Sequence, residues 1–125
     1  MTRTKRILIV DDEESIRLLL RRILESNPAL EMTLASGGEE ALELAAESAY
    51  DLILLDLLMP GIGGIEALTR LRGGSANKKT PVIIVSVLAD PHTKMACQSL
   101  GISGWLVKPI DREAVIKAVN GVIAG

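Results

Sequence analysis

The sequence predicts an α/β fold: an open, doubly wound parallel sheet of five strands with five helices. Two observations carry that expectation. Residues 7–10 (Ile-Leu-Ile-Val), 52–55 (Leu-Ile-Leu-Leu) and 82–85 (Val-Ile-Ile-Val) are unbroken apolar runs, as in strands covered on both faces, since a half-exposed strand would alternate with period two. Segments with apolar residues at helical spacing separate the runs, and strands that alternate with helices build a parallel sheet with helices packed on it. In such sheets ligands bind beyond the carboxyl ends of the strands, at a topological switch point.

The first run is closed by Asp11 and Asp12. Ile16, Leu19, Leu20 and Ile23 then recur at i, i+3, i+4, i+7 with Arg17, Arg21 and Glu25 among them, the pattern of an amphipathic helix, which should stop near Asn27-Pro28. Acidic decoration of its N-terminus, worth roughly 0.3–1 kcal/mol through the helix dipole, accounts for one or two of Asp11, Asp12, Glu13 and Glu14 without any function. Residues 32–35 read as a weaker strand at a sheet edge. Ser36-Gly37-Gly38-Glu39 has capping-box spacing for a helix through Ser48. The central run 52–55 ends directly in Asp56, and Pro60-Gly61 turns the chain. A carboxylate at the end of a buried strand is costly unless it is paired, metal-bound or in a cleft. Ile65, Leu68 and Leu71 mark a third helix, ended by Gly73-Gly74. The fourth strand ends at Ser86; Asp90 and Pro91 then start a helix that ends before Gly101. Trp105-Leu106-Val107 is a short fifth strand closed by Lys108-Pro109, and Asp111 caps a last helix carrying Val115, Val119 and Val122.

Composition excludes several functions. The 125 residues suit one domain, 1–125, and the net charge of −2 provides no basic footprint for nucleic acid. With one Trp, one Tyr and no Phe, there is no platform on which bases could stack. Cys97 is the only cysteine, so an intrachain disulfide is impossible and a reducing, cytoplasmic setting is expected; it reads as a small core residue. No apolar run is long enough for a signal sequence or a membrane span. His92, the only histidine, has no metal-ligand spacing around it and reads as a surface residue. The Gly-rich turn at 61–64 lacks the Gly-Lys-Ser/Thr of a phosphate-binding loop.

Right-handed crossovers bring the strand-ending polar residues to one rim: Asp11, Asp12, Asp56, Ser86 and Lys108. Carboxylates with one ammonium suit a small hard cation and a phosphoryl group. Mg²⁺ (or Mn²⁺) takes oxygen ligands octahedrally and keeps several waters, while Lys108 and the Ser86 hydroxyl would hold phosphoryl oxygens.

Asp11-Asp12, Asp56-Leu-Leu-Met-Pro60 with Gly64, Ser86, and Trp105-Leu-Val-Lys108-Pro109 together resemble the receiver domains of two-component response regulators, over essentially the whole chain. The resemblance implies a flavodoxin-like fold with strand order 2-1-3-4-5. It further implies that Asp56 is phosphorylated from a phosphohistidine of a sensor histidine kinase or phosphotransfer protein. Asp11, Asp12, Asp56 and the main-chain carbonyl of Leu58 would bind Mg²⁺, and Ser86 and Lys108 would engage the phosphoryl group. Trp105 stands where the family has its switch aromatic, and the Lys108-Pro109 peptide would be cis. An output domain or target protein would read the face formed by the fourth helix, fifth strand and fifth helix, with no direct nucleic-acid or membrane binding by this domain. Such a domain accepts a phosphoryl group and at most dephosphorylates itself slowly; it is not an enzyme in the ordinary sense.

Three positions depart from the common pattern. Val87 replaces a small residue and narrows the approach to Asp56. Leu58 and Leu88 are apolar where fast-decaying members often carry groups that orient the attacking water, so slow self-dephosphorylation is expected. The tract around Lys108 resembles stand-alone, chemotaxis-type members, and Ser103-Gly104 replaces an acidic pair common in DNA-binding members, which favours a chain without an output domain. A Mg²⁺-dependent phosphohydrolase with an aspartyl nucleophile is the main alternative, but Leu58 stands where its second acid is needed. A degenerate, non-phosphorylated receiver would lack some of the five key residues. A flavin carrier would need aromatic residues that this chain does not have.

Overall fold

The computed structural model describes residues 3–74 and 76–124. Five strands and five helices alternate: β1 (Lys5–Val10), α1 (Glu14–Leu24), β2 (Leu30–Ala35), α2 (Gly38–Glu47), β3 (Leu52–Leu55), α3 (Gly64–Gly73), β4 (Val82–Ser86), α4 (Pro91–Ser99), β5 (Gly104–Val107) and α5 (Arg112–Ile123). All the strand pairs are parallel, and the order across the sheet is β2-β1-β3-β4-β5.

The apolar strands divide their side chains between two cores, because successive residues point to opposite faces. Leu8, Val10, Ile53, Leu55, Val82 and Ile84 join Ala41, Ala67, Leu68 and Cys97 from α2, α3 and α4. Ile7, Ile9, Leu52, Leu54, Ile83 and Val85 join Leu20, Ile23, Val115 and Val119 from α1 and α5. Cys97 is fully buried, as a core residue should be, and burial raises its thiol pKa. His92 is exposed.

Four details differ from the expectations of sequence. The buried stripe of α1 is Leu20, Ile23 and Leu24, and Leu19 is 39% exposed; at 100° per residue the stripe centres on Leu20 and leaves Leu19 on its flank. The same helix stops at Leu24, ahead of Asn27-Pro28, because Pro28 has no N–H to donate to the Leu24 carbonyl and the Asn27 N–H turns back to it instead at 3.1 Å. β2 begins at Leu30, two residues before the expected start, since the strand pairs with β1 along its full length. The α2 cap is shifted by one residue. Gly37 is the N-cap with no side-chain cap bond, and Glu40, not Glu39, reaches back to Ser36, accepting from its N–H at 2.6 Å and its hydroxyl at 3.1 Å. The expected caps of the last two helices are present: Asp90 accepts from the Thr93 N–H and Asp111 from the Ala114 N–H. No helix among the described residues is long and apolar enough to cross a membrane.

Candidate phosphoacceptor and metal site

Parallel pairing carries the strand-end residues to one place. Val10 pairs with Leu55, and Ser86 with Val107. The ladder continues one step beyond the strands: the Asp56 N–H donates to the Val10 carbonyl at 3.0 Å and the Lys108 N–H to the Ser86 carbonyl at 2.9 Å. Asp11 and Asp56 therefore leave adjacent strands side by side. Both are buried, 1% and 3% exposed, and Ser86 is fully buried, whereas Asp12 is exposed.

One ammonium lies among the carboxylates. Lys108 Nζ is 2.8 Å from Asp11 Oδ2, 3.3 Å from Asp56 Oδ2 and 3.6 Å from Glu13 Oε1. Asp56 Oδ1 accepts from the Leu57 N–H at 2.8 Å and from the Leu58 N–H at 3.4 Å. Asp11 is fixed from both ends: its Oδ1 accepts from the Glu13 N–H, and its main-chain carbonyl accepts from Arg17 Nη1 at 2.8 Å. Burial, and then the neighbouring Asp11 charge, push the Asp56 carboxyl above its usual pKa, with Lys108 opposing both. Burial also works against the Lys108 ammonium, but contact with Asp11 and the attraction of Asp56 outweigh it and raise its pKa.

A hard divalent cation fits this donor set. Asp11, Asp12 and Asp56 each offer a carboxylate oxygen, all within 4.8 Å of one another. Asp11 Oδ2 is buried, and its one close partner is the Lys108 ammonium at 2.8 Å. One ammonium nevertheless faces three crowded carboxylates, and a divalent cation would relieve the repulsion that remains among them. Gly64 lets α3 pack directly on the backbone after β3: a Cβ there would lie 2.2 Å from the Asp56 carbonyl oxygen and 2.6 Å from Leu57 Cα, so only glycine lets α3 start against that backbone.

Residues 7–120 match the family model of the response regulator receiver domain. The chain belongs to the response regulator receiver domain family. Among curated proteins, this receiver domain is 38% identical over 117 residues to the transcriptional regulatory protein SrrA of Staphylococcus aureus, spanning 94% of this chain and 47% of SrrA, so it covers about half the length of that relative. Among solved structures it resembles the Vibrio cholerae chemotaxis protein CheY4 at a TM-score of 0.89 and 33% identity, covering 95% of this chain and 98% of that one. It also resembles the receiver domain of the sensor histidine kinase PA1611 of Pseudomonas aeruginosa, solved with a magnesium ion coordinated in its active site cleft (TM-score 0.86, 25% identity, 97% and 98% covered).

The remaining sequence-predicted residues lie around the mouth of the receiver domain's acidic site and behind it. Leu58 and Val87 are 52% and 58% exposed, while Leu88 is half-buried and packs against the α2–α3–α4 core. Trp105, half-buried beside the same core, donates from its indole N–H to the Leu88 carbonyl at 3.0 Å. Ser86 Oγ accepts from the Leu88 N–H at 3.2 Å. The Lys108-Pro109 peptide is cis. Sequence reasoning gave no role to Arg17, whose contact with the Asp11 carbonyl has no motif to announce it, and treated Glu13 as helix decoration.

Proposed function

We propose that this receiver domain is the phospho-accepting switch of a two-component phosphorelay, with Asp56 as its phosphoacceptor. The observation that carries the reading is the buried Asp56 carboxylate at the end of the central strand, with Lys108 and Asp11 converging on it. The donor is a phosphohistidine on a sensor histidine kinase or phosphotransfer protein. An Asp56 carboxylate oxygen attacks phosphorus, the P–N bond breaks, and the imidazole leaves with the bond's electron pair and takes up a proton. Asp11, Asp12, Asp56 and the Leu58 carbonyl would hold Mg²⁺ (or Mn²⁺), which neutralises charge on the phosphoryl oxygens when bound.

Lys108, held at the site by two buried carboxylates, provides a fixed ammonium to a phosphoryl oxygen. The Leu58 N–H already points at the Asp56 carboxylate. Ser86 moves its hydroxyl toward the phosphoryl group to donate to it, and that displacement of Oγ breaks the bond it accepts from the Leu88 N–H. That rearranges the loop whose carbonyl holds the Trp105 indole, and the face of α4, β5 and α5 changes for an output domain or target protein.

Acetyl phosphate with Mg²⁺ tests the acceptor. Intact mass should show one added phosphate on the wild type and none on Asp56→Asn; a phosphate on the variant refutes Asp56 as the sole acceptor.

A further inference from the structure

The loop between β3 and α3 carries the Leu58 carbonyl, yet few interactions hold it. Its Met59 and Ile62 side chains rest on the core, and Gly61 adopts φ +73°. Among the described residues, one hydrogen bond ties 58–63 to an element outside β3 and α3: the Ile62 N–H donates to Glu39 Oε2 of α2 at 3.2 Å. The shifted cap of α2 makes this possible. Glu40 satisfies Ser36, which leaves the Glu39 carboxylate free to lie over Gly61, where a Cβ would come within 2.3 Å of Oε2. Gly38 allows the same approach from the other side, since a Cβ there would lie 2.6 Å from the Ile62 carbonyl oxygen. The N-terminus of α2 and the turn at Gly61-Ile62 are thus fitted to each other at backbone distance.

We infer that Glu39 is a positioning residue for the metal site: by holding the Ile62 N–H it fixes the loop that presents the Leu58 N–H to Asp56 and the Leu58 carbonyl to the cation. The inference rests on the proposed role of Leu58 as a ligand. Without this anchor the loop samples more conformations, and Mg²⁺ binding must order it at a cost in affinity.

The test is Mg²⁺ titration by calorimetry on the intact chain, alongside NMR hydrogen exchange at the Ile62 amide. Losing one hydrogen bond in Glu39→Ala should weaken Mg²⁺ about three- to tenfold and speed exchange at Ile62. Glu39→Gln, whose amide oxygen still accepts the N–H, should stay within about twofold of wild type on the same scale. Wild-type Mg²⁺ affinity in Glu39→Ala overturns the inference, and so does equal weakening in both variants, which would show a charge effect. Either result leaves the phosphoacceptor reading standing. A wild type that binds no Mg²⁺ overturns both.

Discussion

Asp11 and Asp12 are consecutive in sequence but differ in physical state. Asp11 is buried, with its carbonyl held by Arg17 and its Oδ2 paired with the Lys108 ammonium. Asp12 is exposed, so its carboxylate contributes mainly repulsion toward Asp11 and Asp56 until a cation arrives. Asp12→Ala should therefore melt no lower than wild type without metal. A site at 100 times its Kd stabilises the fold by about 2.7 kcal/mol; Mg²⁺ should raise the wild-type melting temperature accordingly and leave that of Asp12→Ala unchanged. A wild-type-like Mg²⁺ shift in the variant would remove Asp12 from the ligand set. Leu58, half-exposed beside Asp56, offers nothing to orient an attacking water, and neither does Leu88. Phospho-Asp56 should accordingly decay slowly, and Leu58→Asn with Leu88→Glu should quicken the decay in Mg²⁺ buffer. An unchanged half-time would show that these positions do not set it.

At the scale of elements, the amino ends of the strands form a second polar rim with the opposite purpose. Asn77 is 2% exposed. Its amide donates to the Ala45 and Ser48 carbonyls at 2.6 and 2.7 Å, and its oxygen accepts from the Tyr50 N–H at 2.8 Å and the Thr80 hydroxyl at 2.9 Å. One side chain thus ends α2, starts the approach to β3 and holds the α3–β4 connection. Arg72 does the same nearby, donating to the Leu100, Thr80, Gly101 and Lys78 carbonyls, and burial lowers its pKa. Asn77→Ala would leave several buried groups unsatisfied, at about 1–3 kcal/mol each before relaxation. Urea unfolding should show a loss of about 3 kcal/mol on that scale. The Mg²⁺ Kd should be unchanged, because a four-residue strand separates the rims by about 13 Å; a large change in Kd would mean that the rims are coupled.

For the whole molecule, the proposed switch requires a connection from Asp56 to the α4–β5–α5 face. The path in the structure is short: Ser86 Oγ to the Leu88 N–H, and the Leu88 carbonyl to the Trp105 indole. Lys94 stands over the outer side of the ring, 5.7 Å from its centroid, and Met95 and Val107 are exposed on the same face, 69% and 50%. If Ser86 leaves Leu88 for a phosphoryl oxygen, the indole loses the geometry of its acceptor and the ring turns inward. A partner that prefers the inward state must, by linkage, also favour phosphorylation. Trp105 is the only tryptophan, so its fluorescence reports the change directly. Beryllofluoride, standing in for the phosphoryl group, should shift the emission or the acrylamide quenching of the wild type and leave Ser86→Ala unchanged; equal responses would reduce Trp105 to a core residue.

The sequence by itself determined the strands, the order of elements and the rim on which the polar residues gather. Unbroken apolar runs can be satisfied only between two helical layers, and parallel crossovers place every strand end on one side. It also contained the acidic pair, Asp56 and Lys108 as a recognisable set. Tertiary structure alone decided what depends on distances between segments remote in the chain. The sequence already pointed to the face of α1 with Ile16, Leu20 and Ile23, but its edge was settled by packing, which buries Leu24 and leaves Leu19 outside. Which glutamate caps α2 was settled by the backbone at Gly37, releasing Glu39 to reach Ile62 across 23 residues. The Asn77 and Arg72 networks were invisible for the same reason. A polar side chain that satisfies backbone carbonyls leaves no spacing pattern, because its partners are peptide groups that every residue possesses.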